Sequence, residues 1–143
     1  MRGKRALVLG GTGMLGRAVA AFWRAAGTPV LALSHRQADV LDRERLLYWA
    51  RTFEPEVIVN CAAFTQVDAC EEREEHATAI NGEALAHLVA AAESCDARLI
   101  QVSSDYVFAG LGNSPLREDA PTGPLSAYGR SKLRGEKLAA AYQ

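Results

Sequence analysis

The sequence predicts an α/β fold, a Rossmann-like doubly wound parallel sheet, with residues 1–143 forming one domain. Two observations lead to this prediction. Short apolar runs alternate with longer amphipathic stretches along the chain, and a glycine-rich turn joins the first run to the first stretch. Strands that alternate with helices pair in parallel through right-handed crossovers. We therefore expect four parallel strands in the spatial order 3-2-1-4, with helices on both faces.

The first half of the chain predicts two strand–helix units. The run RALVLGG ends in glycine, and the amphipathic stretch GRAVAAFWRAAG that follows stops at Gly27. A second apolar run, PVLALS, precedes the helix DRERLLYWARTF. Asp42 is a suitable N-cap for that helix, which should end before Pro55.

The second half predicts two further units separated by a long loop. EVIVNCAA is a third strand, and the charged segment from Asp68 to Glu75 leads into a long helix. The apolar stripe of that helix consists of Ile80, Ala84, Leu88 and Ala91. ARLIQVSS is the fourth strand, and SAYGRSKLRGEKLAAAY is the last helix. The segment between them is rich in Gly, Pro, Asn and Asp, which predicts a long loop of the kind that is often functional.

Composition excludes several classes of protein. The net charge is −1 with both signs interspersed, so no basic face for nucleic acid is expected, and no run of about 18 apolar residues could span a membrane. Cys61, Cys70 and Cys95 are odd in number and lack C-x-x-C spacing, which argues against a disulfide framework and a zinc site. The histidines lack ligand spacing, so no metal is expected. A soluble protein of the reducing cytoplasm fits these features.

The turn GGTGMLG predicts a dinucleotide site. It places Gly10, Gly13 and Gly16 between the first strand and the first helix. Glycine permits close backbone approach, and the free N–H groups and dipole of a helix N-terminus attract a pyrophosphate. The G-K-[ST] ending of a P-loop is absent, which disfavours a triphosphatase.

The end of the second strand bears on the choice of cofactor. Where a carboxylate would bind the ribose 2′-hydroxyl of NAD, the chain reads Ser34, His35 and Arg36. The planar guanidinium of Arg36 could instead pair with a 2′-phosphate, which favours NADPH, with NADH as the alternative. Asp39 and Val40 follow and could flank an adenine.

The last helix carries a pair of reactive side chains. Tyr128 and Lys132 are about one helical turn apart and therefore leave the same face. Gly129 and Gly135 lie in the same helix, where each glycine costs about 0.5–1 kcal/mol relative to alanine, so we expect a bulky group to approach the backbone there. On spacing alone, a surface helix with no function for either side chain is the alternative.

Six motifs occur in order over nearly the whole chain: GGTGMLG, ADVLD, NCAAFTQVDACE, AIN, SSDYVFAG and YGRSKLRGE. Together they resemble the extended short-chain dehydrogenase/reductases, most closely the dTDP-4-dehydrorhamnose reductases among them. The resemblance implies three groups of cofactor-binding residues. They are Gly10, Gly13, Met14, Leu15 and Gly16 at the pyrophosphate, Asp39 and Val40 by the adenine, and Ala62, Ala63 and Phe64 on the nicotinamide side.

The resemblance also implies a reaction, the reduction of a nucleotide-linked 4-keto-6-deoxy sugar by NADPH. Hydride delivery to a ketone leaves negative charge on its oxygen, which requires a proton donor and a second hydrogen-bond donor. Tyr128 matches the family's proton donor. Lys132 matches the ammonium that favours the phenolate and holds the nicotinamide ribose. Ser104, with Ser103 as the alternative, matches the second donor, and Asn81 matches an asparagine that supports the site through backbone and water.

Two departures from relatives sharpen this interpretation. Sugar dehydratases carry an Asp-Glu pair after the hydroxyl residue, whereas Ser104 is followed by Asp105 and Tyr106. Dehydration is therefore disfavoured, and Asp105 is expected to contact the sugar. Ala109 stands where many members carry aspartate, a change that concerns loop structure more than chemistry.

The length of the chain keeps other functions open. Family members are about twice as long, so we expect a partial chain that lacks the substrate lobe. The fourth strand should then present an exposed edge, to be covered by a second copy or another partner. A non-catalytic NADP-binding module resembling the regulatory subunit of methionine adenosyltransferase is one alternative, and another nucleotide-sugar epimerase or reductase of the extended family is a second.

Overall fold

A parallel sheet of four strands runs through the centre of the computed structural model, which describes residues 5–112 and 114–142. The remaining residues of the predicted domain 1–143 lie outside the described part. The strands are β1 (Ala6–Leu9), β2 (Val30–Leu33), β3 (Val57–Asn60) and β4 (Arg98–Gln101). Every pairing is parallel, so the predicted fold class is confirmed.

The predicted strand order is wrong, because the sheet runs β2-β1-β3-β4. Val8 of β1 pairs with Ala32 on one side and with Val59 of β3 on the other. Ile58, Val59 and Asn60 are buried, whereas three of the four residues in β2 are only partly buried. The more deeply buried strand, β3, thus lies in the interior of the sheet beside β1, and β2 lies at an edge. The chain reverses direction across the sheet at β1, and ligands of doubly wound sheets bind outside the carboxyl ends of the strands at such a point.

Six α-helices surround the sheet in the described residues. They are α1 (Met14–Ala25), α2 (Arg43–Phe53), α3 (Val67–Glu72), α4 (Glu74–Thr78), α5 (Leu85–Glu93) and α6 (Ala127–Ala140). The predicted boundaries of α2 are confirmed. The carboxylate of Asp42 accepts the backbone N–H of Arg45 at 2.9 Å, and Glu54 in the left-handed region (φ 47°) ends the helix before Pro55.

The predicted long helix before β4 is helical but interrupted. Arg73 leaves the helical region between α3 and α4, and a π-helical turn, Ala79–Glu83, separates α4 from α5. Such turns insert a residue into the helical ladder and are frequent at functional sites. The sequence did not predict the π-helical turn, because the apolar period that starts at Ile80 continues through it. The break at Arg73 lies in the charged segment that precedes the predicted helix.

The core lies between the sheet and the helices. Its largest members are the buried aliphatic side chains Leu7, Leu9, Leu33, Leu46, Ile58, Leu85 and Leu88. Of the predicted apolar stripe, Ala84, Leu88 and Ala91 belong to this cluster and Ile80 packs against it. Burial of these side chains fixes the strand ends, and so fixes the segments that follow them.

The segment after β4 is irregular over most of its length, as predicted. One short 3₁₀ turn, Asp105–Val107, is followed in the described residues by turns, bends and irregular segments up to the N-cap of α6. Within the described residues β4 has a single neighbour, β3, and Ile100 on it is 40% exposed. The predicted exposed edge is therefore present. No helix in the described residues is both long and apolar enough to cross a membrane.

Candidate cofactor and catalytic site

The glycine turn after β1 approaches the end of β3 very closely. Gly10 has φ 68°, in the left-handed region that favours glycine, and a Cβ at this position would lie 2.8 Å from the backbone N of Ala62. The backbone N–H of Gly13 donates to the carbonyl of Gly10 at 2.9 Å, which closes the turn. A larger residue at position 10 would push the two strand ends apart.

Helix α1 begins without a side-chain cap. Its N-cap is Gly13, and no side chain accepts a hydrogen bond at this terminus. The following residue, Met14, is 86% exposed. The first turn of the helix therefore presents backbone N–H groups and the positive end of the helix dipole at the surface, an arrangement that binds anions.

A cleft of about 270 Å³ lies on one side of this turn. It contains the residues predicted at the adenine, Asp39 and Val40, together with Phe64. Val40 is 4% exposed, and the carboxylate of Asp39 accepts the backbone N–H of Leu41 at 3.0 Å. The other lining residues are Gly10, Thr12, Gly13, His35, Ala38, Cys61, Ala62, Ala63 and Ile80. The lining is largely apolar, which suits a purine ring.

His35 lies at this cleft, and the sequence analysis assigned it no role. It lines the cleft directly, and its Nε2 is 3.8 Å from the carboxylate of Asp39. Arg36, predicted to meet a 2′-phosphate, is exposed and makes no hydrogen bond or ion pair with the described residues. The signal that could have found His35 is its position two residues after the end of β2.

A second cleft, of about 320 Å³, lies on the other side of the turn. The predicted catalytic pair, Tyr128 and Lys132, lines it together with the first turn of α1. Its remaining lining residues are Asn60, Cys61, Ala62, Ala63, Thr65, Val102 and Ser103. Both clefts share Gly13, Cys61, Ala62 and Ala63, so they form one groove past the glycine turn.

Lys132 is the buried charge of this groove. The residue is 3% exposed, and its Nζ donates to the carbonyl of Val102 at 2.6 Å. Burial lowers the pKa of the Lys132 ammonium, and the negative charge of Glu136 opposes that change. This hydrogen bond ties the ammonium to the residue that follows β4. Tyr128, which lines the same cleft, packs edge-to-face on Tyr106 with ring centroids 5.5 Å apart.

The two serines after β4 differ in their hydrogen bonds. The hydroxyl of Ser104, predicted to be catalytic, accepts the backbone N–H of Tyr106 at 3.1 Å and donates to the carboxylate of Asp105 at 3.2 Å. Ser103 lines the second cleft, and its buried hydroxyl has no hydrogen-bond partner among the described residues. Because the Ser104 hydroxyl donates to Asp105, it must break this hydrogen bond before it can donate one to a ligand.

Asn81 lies in the π-helical turn and is 1% exposed. Its Oδ1 accepts the backbone N–H of Phe64 at 2.8 Å, and its Nδ2 donates to the backbone carbonyl of Phe64 at 2.9 Å and to the hydroxyl of Ser131 at 3.0 Å. The side chain thus bonds the segment that follows β3. This arrangement is compatible with the predicted supporting role.

The start of α6 is held by two capping groups. Ser126 accepts the backbone N–H of Gly129 at 3.0 Å, and Glu71 of α3 accepts that of Ala127 at 2.7 Å. As expected, other groups approach the helix backbone closely at Gly129 and Gly135, but these groups belong to the protein itself. A Cβ at Gly129 would collide with the carbonyl oxygen of Tyr106, and one at Gly135 with that of Asn81.

The groove as a whole fits a dinucleotide. It offers an apolar end by Val40, an uncapped helix terminus at Gly13 and a polar end with Lys132. Glycine at position 13 leaves the backbone between the two clefts uncovered, and the unpartnered hydroxyl of Ser103 lies at the polar end. These groups match, in order, a purine, a diphosphate and a ribose with its attached ring.

Comparisons with family models, protein sequences and solved structures point to the same family. Residues 4–143 match the family model described as the RmlD substrate binding domain. The chain is 43% identical to the dTDP-4-dehydrorhamnose reductase of Streptomyces griseus over 93% of its own length and 44% of the relative's. It is 39% identical to methionine adenosyltransferase 2 subunit beta of Xenopus tropicalis over 94% of its own length and 42% of the relative's.

A solved structure shows the same fold. The crystal structure of a dTDP-4-dehydrorhamnose reductase from Clostridium acetobutylicum superimposes with a TM-score of 0.92 at 34% identity, covering 97% of this chain and 50% of that one. The chain therefore spans about half the length of the relatives it matches.

Proposed function

Because the chain belongs to the RmlD substrate binding domain family, we propose that it is the cofactor-binding part of an NADPH-dependent reductase acting on a nucleotide-linked 4-keto-6-deoxy sugar. One observation carries the proposal. Tyr128 and Lys132 line the same cleft as the uncapped start of α1, so an acid, an ammonium and an anion site face one volume. The names of the relatives supply the class of substrate.

The chain's own residues would bind the cofactor along the groove. The first turn of α1 would hold the diphosphate through the backbone of Gly13, Met14, Leu15 and Gly16. Asp39 and Val40 would flank the adenine, and Arg36 would reach a 2′-phosphate. NADPH, when bound, supplies the hydride that reduces the ketone.

Three side chains would manage the charge on the ketone oxygen. Tyr128 would donate a proton to that oxygen, and Ser104 would donate a hydrogen bond to it once its hydroxyl turns from Asp105. Lys132 would place its positive charge in the same cleft and hold the nicotinamide ribose. Once the hydrogen bond from Ser104 is broken, the carboxylate of Asp105 would accept a hydrogen bond from a sugar hydroxyl.

A binding module is the second candidate function. The 39% identity to a methionine adenosyltransferase subunit favours it, because that relative is named as a subunit of another enzyme. The two candidates share the cofactor groove and differ in whether Tyr128 transfers a proton. A different nucleotide-sugar epimerase or reductase remains a third outcome of the same assay.

We also propose a cytoplasmic protein whose β4 edge is covered in the complete assembly. Free cysteines at Cys61, Cys70 and Cys95 suit a reducing compartment. The unpaired backbone of β4 and the exposed side chain of Ile100 would be covered by the rest of a longer polypeptide or by a second copy.

Cofactor binding is tested on this chain by fluorescence titration with NADPH and NADH. We expect both to bind, NADPH more tightly, and Arg36→Ala to remove most of the difference because a 2′-phosphate loses its ionic partner. Equal affinities that Arg36→Ala leaves unchanged would contradict the role of Arg36. Failure of both nucleotides to bind would remove the cofactor proposal itself.

Catalysis is tested on the longer protein that contains this chain. Tyr128→Phe keeps the ring and removes the proton donor, so turnover of a dTDP-4-keto-6-deoxy sugar should fall by about 100-fold or more, the typical contribution of a positioned acid. Cofactor affinity should change little. If the wild-type protein binds NADPH and reduces no nucleotide keto-sugar, the binding module takes the place of the reductase.

A further inference from the structure

The hydroxyl of Ser131 connects two parts of the groove through hydrogen bonds on both sides. Ser131 lies inside α6 and is 1% exposed. Its Oγ donates to the backbone carbonyl of Tyr128 at 2.7 Å and accepts from Nδ2 of Asn81 at 3.0 Å. A serine inside a helix is less favourable than alanine, so a buried one that uses donor and acceptor indicates a role in holding a partner.

The direction of these hydrogen bonds is fixed by the Asn81 side chain. Phe64 presents a backbone donor and a backbone acceptor to one carboxamide, and only one orientation of the carboxamide satisfies both. In that orientation Nδ2 faces Ser131, so the serine oxygen must accept. Its own proton is then directed to the carbonyl of Tyr128.

The network joins the wall of the groove to the helix that carries the reactive side chains. Asn81 bonds the backbone of Phe64, which ends the lining segment of residues 62–64. Ser131 bonds the same carboxamide from α6, where Tyr128 and Lys132 line the second cleft. The π-helical turn also packs directly on α6, since a Cβ at Gly135 would collide with the carbonyl of Asn81.

We propose that Ser131 is a positioning residue that sets the separation between the 62–64 wall and the Tyr128–Lys132 face by fixing the carboxamide of Asn81. It touches neither cofactor nor substrate. The effect on cofactor affinity rests on the proposed function, whereas the effect on the Phe64 backbone does not. Without the serine oxygen, one Nδ2 hydrogen of Asn81 is buried without its acceptor, and the carboxamide can move away from Phe64.

The first measurement is amide hydrogen exchange of Phe64 by NMR in the absence of cofactor. Ser131→Ala should raise the Phe64 exchange rate by about tenfold, since its N–H bond to Asn81 opens more often. If the alanine variant does not fold, Ser131→Cys is the second variant, because it keeps the side-chain volume but is a much weaker hydrogen-bond donor and acceptor. It should also raise the Phe64 exchange rate.

The second measurement is nucleotide affinity. Ser131→Ala should weaken the binding of NADPH by about three- to tenfold, which corresponds to the loss of one buried hydrogen bond. It should weaken 2′,5′-ADP less, because this fragment lacks the ribose and ring expected beside Tyr128 and Lys132. Equal weakening of both ligands would contradict a role at the wall–helix separation.

Ser94→Ala is the matched control. The hydroxyl of Ser94 also donates to a carbonyl three residues earlier, that of Ala91, at 2.8 Å, at the end of α5. It should leave Phe64 exchange and NADPH affinity unchanged. If Ser131→Ala has the same Phe64 exchange rate and NADPH affinity as the wild-type chain, the inference is overturned. If the wild-type chain itself binds no NADPH, the proposed function is overturned, and the exchange measurement alone decides the role of Ser131.

Discussion

Gly13 at the N-cap of α1 and two glycines inside α6 serve opposite purposes. At the start of α1, the nearest atom to a Cβ built on Gly13 is the carbonyl oxygen of Gly10, 3.2 Å away, and the residue faces both clefts. In α6, Gly129 and Gly135 are covered by the carbonyl oxygens of Tyr106 and Asn81. Gly13 leaves backbone open to a ligand, whereas Gly129 and Gly135, like Gly16 inside α1, let protein backbone close upon protein.

The difference shows that a glycine in a motif does not state which partner approaches it. At the start of α1 the uncapped N–H groups remain available, so the missing side chain of Gly13 leaves a surface open for binding. In α6 the missing side chains allow the helix to reach the π-helical turn and the 3₁₀ turn, which brings Lys132 to the carbonyl of Val102. Substitutions by alanine should therefore separate stability from affinity.

Gly135→Ala should have the largest effect, and it should be on stability. The added methyl group meets the backbone oxygen of Asn81, which belongs to the closely packed π-helical turn. Overpacking of this kind costs about 1–3 kcal/mol, and we expect the upper end because backbone must move. Chemical denaturation of the wild-type and variant chains measures it.

Gly123→Ala is the control for that experiment. A Cβ at Gly123 would lie 3.6 Å from the Cβ of Ala109, an ordinary contact. Its free energy of unfolding should stay close to the wild-type value. If Gly135→Ala were as stable as Gly123→Ala, the close packing of α6 on the π-helical turn would be refuted.

Gly13→Ala should reverse the pattern, with a loss of affinity and little change in stability. The methyl group needs a shift of a few tenths of an ångström from the Gly10 carbonyl and projects where the two clefts meet. We expect NADPH to bind about tenfold more weakly, equivalent to the loss of about one backbone hydrogen bond. Titration and denaturation on the same sample compare the two effects. An affinity equal to wild type would place the diphosphate elsewhere.

Lys132→Met should have the smallest effect at neutral pH and a distinctive effect at alkaline pH. Burial holds the pKa of Lys132 below its ordinary value of 10.5. Between the lowered value and 10.5 the unfolded chain binds more protons than the folded chain, so wild-type stability rises with pH in that window. The variant lacks this ionisation and should lose this part of the rise.

The measurement is the free energy of unfolding from pH 7 to 11 without cofactor. At pH 7 the lost bond to Val102, worth about 1 kcal/mol, is opposed by removal of a buried charge. Since other groups titrate in both proteins, the difference between the two curves isolates Lys132. Parallel curves would show that α6 does not bury the ammonium.

Much of the fold followed from the sequence because its signals are local. The apolar runs, the Asp42 cap and the stop before Pro55 depend on residues within a few positions of each other. The strand order did not follow, because β3 could pair on either side of the first two strands without any change in its own pattern. Its burial on both faces decided the position beside β1.

The candidate site divides in the same way. The sequence by itself determined that a glycine turn opens the first helix and that Tyr128 and Lys132 share a helical face. Only the tertiary structure decided that these two places, far apart in the chain, line one cleft. It also decided that His35 rather than Arg36 lines the adenine-side cleft, and that the hydroxyl of Ser104 is paired while that of Ser103 is buried without a partner. The reason is physical: periodicity fixes which face of its own element a side chain occupies, whereas packing of the sheet and helices fixes what that face meets.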